Sequence, residues 1–166
     1  MLESSENGQP LIDIVLQFFQ QDQWNYQKTK NPSIIRAGFH GERGTWICYA
    51  RVDEANRRFL FHSWMGLSIP AGIHPAVLEY LNRVNCRLPI GSFDLNQDTG
   101  DVRCKTGVED PGGTINVGLV RALAYANVRA MDQYFPGVVA VVHSGLSPLA
   151  ALARLDAGVF QEETFG

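Results

Sequence analysis

The residues best suited by type and spacing to bind a metal ion lie in the segment GSFDLNQDTGDVRCKTG, positions 91–107. Oxygen-bearing side chains recur there at alternate positions, as in a calcium-binding EF-hand loop: Asp94, Asn96 and Asp98. Such a loop also needs a glycine at its sixth position and a glutamate at its twelfth. Counted from Asp94, those positions hold Thr99 and Lys105. Because a lysine would repel the cation, the segment predicts a turn rather than a calcium site.

The predicted turn, residues 98–100, joins two strands of a hairpin, with Gly100 available for a positive φ. Two apolar pairs then face each other on the buried side: Leu95 with Val102, and Phe93 with Cys104. On the other side Asp94 faces Arg103, an exposed ion pair worth about 0.2–1 kcal/mol. Cys104 is therefore predicted to be a small core residue rather than a reactive thiol.

The length and composition indicate one globular domain. A chain of 166 residues can bury about two thirds of its unfolded surface, enough to fold without disulfides or bound metal. Hydrophobic residues make up 45% and charged residues 19%, as in ordinary globular proteins. The net charge of −3 argues against nucleic acid and against an anionic membrane as the main partner.

The cysteines and the termini predict a cytoplasmic protein. Cys48, Cys86 and Cys104 are odd in number and form no CxxC pair, which favours reduced thiols. The start, MLESSENGQP, is polar and acidic, unlike a signal peptide. The apolar run at 137–142 is too short to cross a bilayer.

Hydrophobic periodicity predicts helices and strands in the order αβββαββα, followed by a short C-terminal helix. The predicted strands are 33–40, 45–52, 58–65, 88–96 and 101–109. The predicted helices are 10–22, 74–86, a long helix from Thr114 or Asn116, and a short helix at 147–155 capped by Ser147. Pro136 with Gly137 should kink or break the long helix.

This order predicts an α+β fold, an antiparallel sheet with helices packed on one face. Residues 10–156 form the single domain, preceded by a flexible start at 1–9 and followed by a tail at 157–166.

No segment matches a known catalytic or cofactor-binding motif. Phosphate-binding loops, dinucleotide-binding glycine patterns, nucleophile elbows and zinc-binding spacings have no counterpart in the sequence. The four histidines are scattered: His40, His62, His74 and His143. The sequence therefore predicts no catalytic residues, no cofactor, no metal and no enzymatic activity.

The two faces of the second and third predicted strands carry the most informative pattern. The register that places Val52 opposite Phe59 gives one apolar face: Trp46, Cys48, Ala50, Val52, Phe59, Phe61 and Met65. The opposite face carries Ile47, Tyr49, Arg51, Leu60, His62 and Trp64. A solvent-facing sheet surface should be polar, and this one is not. A slip of one residue would exchange the two faces.

That second face mixes aromatic side chains with an arginine, as protein interfaces do. Two interpretations stay open: the second helix or the tail covers it, or it forms a dimer contact or a groove for a partner. We predict a protein-interaction face formed by Ile47, Tyr49, Arg51, His62 and Trp64.

Five segments carry a family resemblance. They are LIDIVLQFFQQDQWNYQ, RAGFHGERGTWICYARV, FLFHSW, LNRVNCRLPIGSFDLNQDTGDVRCKTGV and YANVRAMDQYFPGVVAVVHSGLSPLAAL. Together, over residues 11–155, they resemble the YbjN-like bacterial proteins, whose fold is similar to that of type III secretion chaperones. The resemblance implies a compact α+β domain, often dimeric, with no known enzymatic activity and a proposed role in bacterial sensing or regulation.

Two functions follow as expectations. The first is a non-catalytic interaction module, a homodimeric regulator or chaperone-like adaptor that binds an unidentified protein. The second is a small-molecule sensor or enzyme that uses a cleft between the sheet and the long helix, near Pro136 and His143.

Overall fold

The computed structural model of the protein describes residues 8–164, with side chains described through residue 158. Most of the predicted flexible start, and residues 165 and 166 of the predicted tail, lie outside the described residues. Within the described range, no helix is both long enough and apolar enough to cross a membrane.

Four helices pack on one side of the sheet. They are α1 (Leu11–Gln21), α2 (His74–Asn85), α3 (Val117–Ser144) and α4 (Pro148–Thr164), and a 3-10 turn at Ala71–Ile73 precedes α2. Asn116 caps α3, since its side chain accepts a hydrogen bond from the Leu119 amide at 2.9 Å. The predicted cap at Ser147 is confirmed, because its hydroxyl accepts a hydrogen bond from the Ala150 amide at 3.2 Å.

The sheet contains six antiparallel strands in the spatial order β1-β2-β3-β4-β6-β5. They are β1 (Tyr26–Lys28), β2 (Ile34–His40), β3 (Thr45–Asp53), β4 (Arg58–Ser68), β5 (Ser92–Asn96) and β6 (Asp101–Glu109). The α+β architecture predicted from the sequence is confirmed. The short edge strand β1 was not predicted, because three residues are too few to show a period of two.

The predicted strand registers are confirmed. Val52 pairs with Phe59 across the β3–β4 hairpin, as expected from its short turn. In the β5–β6 hairpin, Leu95 pairs with Val102 and Asp94 with Arg103. At the turn of that hairpin, Gly100 has a φ of +78°, which favours glycine.

The helices pack on the side of the sheet that carries Cys48 and Phe61, which we call the inner face. All seven residues predicted to form the core side of β3 and β4 are buried there. Cys48 and Cys104 lie in this core, and burial raises the pKa of both thiols to about 12. They are therefore packing residues rather than nucleophiles.

One buried side chain joins α3 to the middle of the sheet. The Asn127 amide group donates hydrogen bonds to the Phe61 carbonyl at 2.9 Å and the Cys104 carbonyl at 3.1 Å. Its oxygen accepts a hydrogen bond from the Ser63 hydroxyl at 2.6 Å. Thr106 donates a further bond to the Leu123 carbonyl of α3 at 2.8 Å. These bonds fix the height and rotation of α3 above β4 and β6.

The long helix is not broken at Pro136. Proline was expected to kink or break the helix, and α3 continues past it for a total of 28 residues to Ser144, which rules out the break. The Tyr80 hydroxyl, from α2, donates a hydrogen bond to the Tyr134 carbonyl at 2.9 Å, in the turn that proline disturbs. Gly137 makes room for this phenol, because a Cβ at that position would overlap it.

The C-terminal helix was predicted to be short, and this was wrong. α4 spans 17 residues, so the part of the predicted tail at 157–164 belongs to it. Gly158 does not end the helix, since one glycine costs a helix only about 1 kcal/mol.

We expect Asn127→Ala to lower the free energy of unfolding by about 2–4 kcal/mol, because it leaves buried carbonyls without a donor and opens a cavity. The exposed Gln133→Ala on the same helix is the control and should change this free energy by less than about 0.5 kcal/mol. Urea unfolding followed by circular dichroism measures both, and equal effects would contradict the role assigned to Asn127.

We expect Gly137→Ala to destabilise the protein by about 1–3 kcal/mol through overlap with Tyr80. Gly158→Ala is the matched control, because a Cβ there meets no described atom within 4 Å. Alanine favours helix over glycine, so the control should stabilise the protein by up to about 1 kcal/mol. Opposite signs in thermal unfolding are the expected result, and two stabilising substitutions would rule out the close contact.

Candidate functional site

The side of the sheet opposite the helices, which we call the outer face, carries all five residues predicted to form an interaction face. Ile47, Tyr49 and Arg51 come from β3, and His62 and Trp64 come from β4. Strand pairing brings them together, since Ile47 lies opposite Trp64 and Tyr49 lies opposite His62. The helices pack on the inner face, so the alternative that α2 or α4 covers the outer face does not hold for the described residues.

An open cavity of about 360 Å³ lies in the middle of the outer face. Its lining residues are Thr29, Ile34, Tyr49, Arg51, His62, Trp64 and Arg103. Four of the five predicted residues are among them, and Ile47 stands beside the cavity with 37% of its surface exposed. The cavity is therefore bounded by aromatic rings with arginines at its edge.

Three side chains of the cavity wall, Arg103, Trp64 and Tyr49, contact one another in series, and Arg103 also forms an ion pair. The Arg103 guanidinium binds the Asp94 carboxylate at 2.7 Å, as predicted. The same guanidinium lies 5.9 Å from the centre of the Trp64 ring, within cation–π range. Trp64 in turn meets Tyr49 edge to face, with ring centres 6.3 Å apart. These contacts hold Trp64 and Tyr49 in fixed orientations.

His62 forms the floor of the cavity and is only 6% exposed. Burial lowers the pKa of its imidazole to about 4, and the positive charges of Arg103, Arg51 and Lys105 act in the same direction. The Asp94 carboxylate opposes them and is outweighed. The imidazole is therefore neutral at pH 7 and lies in a positive electrostatic potential.

Two lining residues, Thr29 and Ile34, were missed by the sequence analysis. The alternation in β2 could have revealed Ile34, because Ile34 pairs with Arg51 and so shares its face. Thr29 lies in the β1–β2 connection, where its hydroxyl bonds the Ile34 carbonyl at 3.0 Å. No pattern of period two extends into that connection, so the sequence carried no signal for it.

The cleft predicted near Pro136 and His143 was expected between the sheet and the long helix, and the described residues do not form it there. Buried side chains and the Asn127 bonds fill the space between α3 and the sheet. Pro136 instead lines a groove of about 490 Å³ between α3 and α4, with Arg43 and Arg154 among its lining residues. His143 is exposed and does not line this groove.

The segment that resembled a calcium loop forms a turn. The Asn96 side chain accepts a hydrogen bond from the Asp98 amide at 2.9 Å, and the Gly100 amide bonds the Asn96 carbonyl at 2.7 Å. The Asn96 oxygen is thus used inside the turn itself. Across the described part of the chain, no three His, Cys, Asp or Glu side chains are grouped as metal ligands would be.

Two solved structures resemble this fold. YbjN from E. coli matches with a TM-score of 0.59 and 10% sequence identity, over 80% of this chain and 93% of that chain. A chain of the HopA1–SchA chaperone–effector complex matches with a TM-score of 0.48 and 11% identity, over 72% of this chain and 88% of that chain. A comparison with curated protein sequences finds no match.

The family assignment comes from the sequence itself. The family model described as "YbjN: Putative bacterial sensory transduction regulator" matches residues 11–139. That range begins at α1 and includes every strand, the whole outer face and most of α3. The chain therefore belongs to the YbjN family.

Proposed function

We propose that this protein is a non-catalytic protein-interaction module, a cytoplasmic regulator or chaperone-like adaptor, and that the outer face is its contact surface. The observation that carries the proposal is a sheet surface built from Tyr49, Trp64 and arginines, on which no helix of the described residues packs. Tyrosine, tryptophan and arginine are the side chains most often found at energetically dominant positions of protein interfaces.

The orientation of these side chains supports the proposal. Trp64 and Tyr49 are half-buried and are held by contacts with each other and with Arg103. A partner that binds them would lose little side-chain entropy, because the rings are already ordered. A cavity between them gives a partner side chain a place to insert.

The β5 edge of the sheet is less suitable for a partner strand than the outer face. The Asn85 side chain accepts a hydrogen bond from the Phe93 amide at 2.7 Å and donates one to the Phe93 carbonyl at 3.0 Å. An incoming strand would have to displace both bonds. This protection favours the face over that edge as the place of contact.

A homodimer is part of the proposal, and measurements of mass and of captured proteins distinguish a second copy from a different protein on the outer face. The second expected function, small-molecule sensing or catalysis, has less support. Its predicted cleft is filled by the core. The α3–α4 groove has three polar side chains among its described lining residues, Arg43, Ser144 and Arg154, and no His, Cys, Asp or Glu that could act on Ser144 as a general base.

We expect Trp64→Glu to remove a bound protein that wild type retains, because it places a carboxylate where an aromatic contact forms. The tagged protein and its variants would be incubated with lysate of the native organism, and bound proteins would be identified by mass spectrometry. Leu149→Glu on α4 is the control, since Leu149 is an exposed apolar residue far from the outer face.

Circular dichroism should show that both variants remain folded. The proposal would be sunk if wild type, Trp64→Glu and Leu149→Glu captured the same proteins and had the same mass by light scattering. Loss of dimer mass in Trp64→Glu alone would assign the outer face to the homodimer.

The low pKa of His62 makes one contribution to the free energy of unfolding depend on pH. Its pKa is about 4 in the folded protein and near 6.5 when unfolded. Above pH 6.5 the imidazole is neutral in both the folded and the unfolded protein, so it does not reduce the free energy of unfolding. As the pH is lowered from 6.5 to 4, the unfolded chain binds a proton that the folded protein does not, and the free energy of unfolding decreases.

We expect His62→Gln to lose less stability than wild type when the pH is lowered from 7 to 5. The difference should reach about 1–2 kcal/mol, after allowance for screening by solvent. Urea unfolding at several pH values measures it. If the difference in free energy of unfolding between wild type and His62→Gln stays constant from pH 7 to pH 5, the neutral, buried state of His62 is contradicted.

A further inference from the structure

Positive charges gather around the outer-face cavity. Arg51 and Arg103 line it, and Lys105 lies opposite His62 on the neighbouring strand. Arg36 lies opposite Tyr49 on the other side. Because adjacent strands are about 4.8 Å apart, these cations fall within a patch roughly 15 Å across.

Only one of these cations is neutralised by a neighbouring carboxylate. Arg103 is paired with Asp94. In the described part of the chain, Arg36, Arg51 and Lys105 belong to no ion pair. The pKa of the His62 imidazole is lowered first by burial, and Arg103, Arg51 and Lys105 add to this effect. The patch thus has positive charge available for an anionic ligand.

We propose that the outer face binds an acidic peptide segment of a different protein. A glutamate or aspartate carboxylate of that segment binds Arg51, and a neighbouring apolar side chain packs on Tyr49 and Trp64. This inference rests on the proposed function and adds the chemistry of the partner. Arginine is suited to the role because its planar donors match a carboxylate in pairs.

The charges around the patch argue against a nucleic acid. Two residues further along β3 from Arg51 lies Asp53. It pairs with Arg58 on β4, which in turn pairs with Glu109 on β6. Arg58 is bound to Glu109 at 2.5 Å. A continuous phosphate backbone would meet these carboxylates as it left the cavity, whereas a short acidic segment can end before them. The net charge of −3 also opposes association with a polyanion.

The same charges argue against a second copy of this chain. A two-fold symmetric contact places the same patch of each copy against the other. Arg51 and Lys105 of one copy would then lie near the cations of the next, with one carboxylate, Asp94, already engaged with Arg103. Repulsion of like charges disfavours that arrangement. The proposed homodimer therefore uses a different surface.

The inference is tested with the full chain and a fluorescein-labelled peptide of about ten residues that alternates glutamate and leucine. Fluorescence anisotropy should show binding that weakens as salt is raised from about 0.05 to 0.3 M, because the attraction is electrostatic. The same peptide with glutamine in place of glutamate should bind at least tenfold more weakly. Arg51→Gln should weaken binding of the acidic peptide about five- to tenfold.

Arg129→Gln is the matched control, because Arg129 is an exposed arginine on α3, on the opposite side of the sheet. It should bind the acidic peptide as wild type does. The inference is overturned if neither peptide binds, if both bind equally, or if the two variants behave alike. Tighter binding of a labelled oligothymidylate would also overturn it and assign the patch to nucleic acid.

These outcomes are separate from those of the proposed function. If Trp64→Glu loses a captured protein but the acidic peptide does not bind, the contact surface stands and its acidic specificity fails. If Trp64→Glu changes neither capture nor peptide binding, both fail.

Discussion

The architecture depends on one buried amide. Asn127 holds α3 over β4 and β6 by bonding two strand carbonyls and the Ser63 hydroxyl. These groups are removed from water and must be satisfied within the protein, so a helix placed at another height or rotation would leave several of them unpaired. Since α3 is the longest helix and contacts α1, α2 and α4, its position organises the whole layer.

The described helices form a single layer, so among residues 8–158 no helix packs on the outer face of the sheet. The side chains of the outer face pack against one another. Asp94 forms an ion pair with Arg103, Arg103 lies over the Trp64 ring, and Trp64 packs on Tyr49. His62 beneath them is kept neutral by burial and by nearby cations. The result is a packed aromatic surface with positively charged side chains around it.

Several side chains complete backbone hydrogen bonds at the ends and edges of the fold. The Glu54 carboxylate, in the β3–β4 turn, accepts bonds from the Leu11 and Ile12 amides at 2.9 Å each and so binds the start of α1. Asn85 occupies the free edge of β5, and Tyr80 supports α3 beside its proline. Each of these three side chains joins two helices, strands or turns. The hydrogen bonds that satisfy the backbone groups therefore also fix the relative positions of those elements.

The sequence by itself predicted the inner face and four of the seven cavity residues, because alternation is a local property, whereas the strand register on which they depend was established only by the observed pairing. The arginine that faces Asp94 was likewise predictable from a turn at Gly100. Only the tertiary structure decided that α3 is not broken at Pro136. Beside that proline α3 packs against Tyr80, which is 54 residues from its bonding partner Tyr134 in the sequence. The tertiary structure also decided that Thr29 joins the cavity and that the described helices all pack on the inner face, because these depend on where separate elements pack.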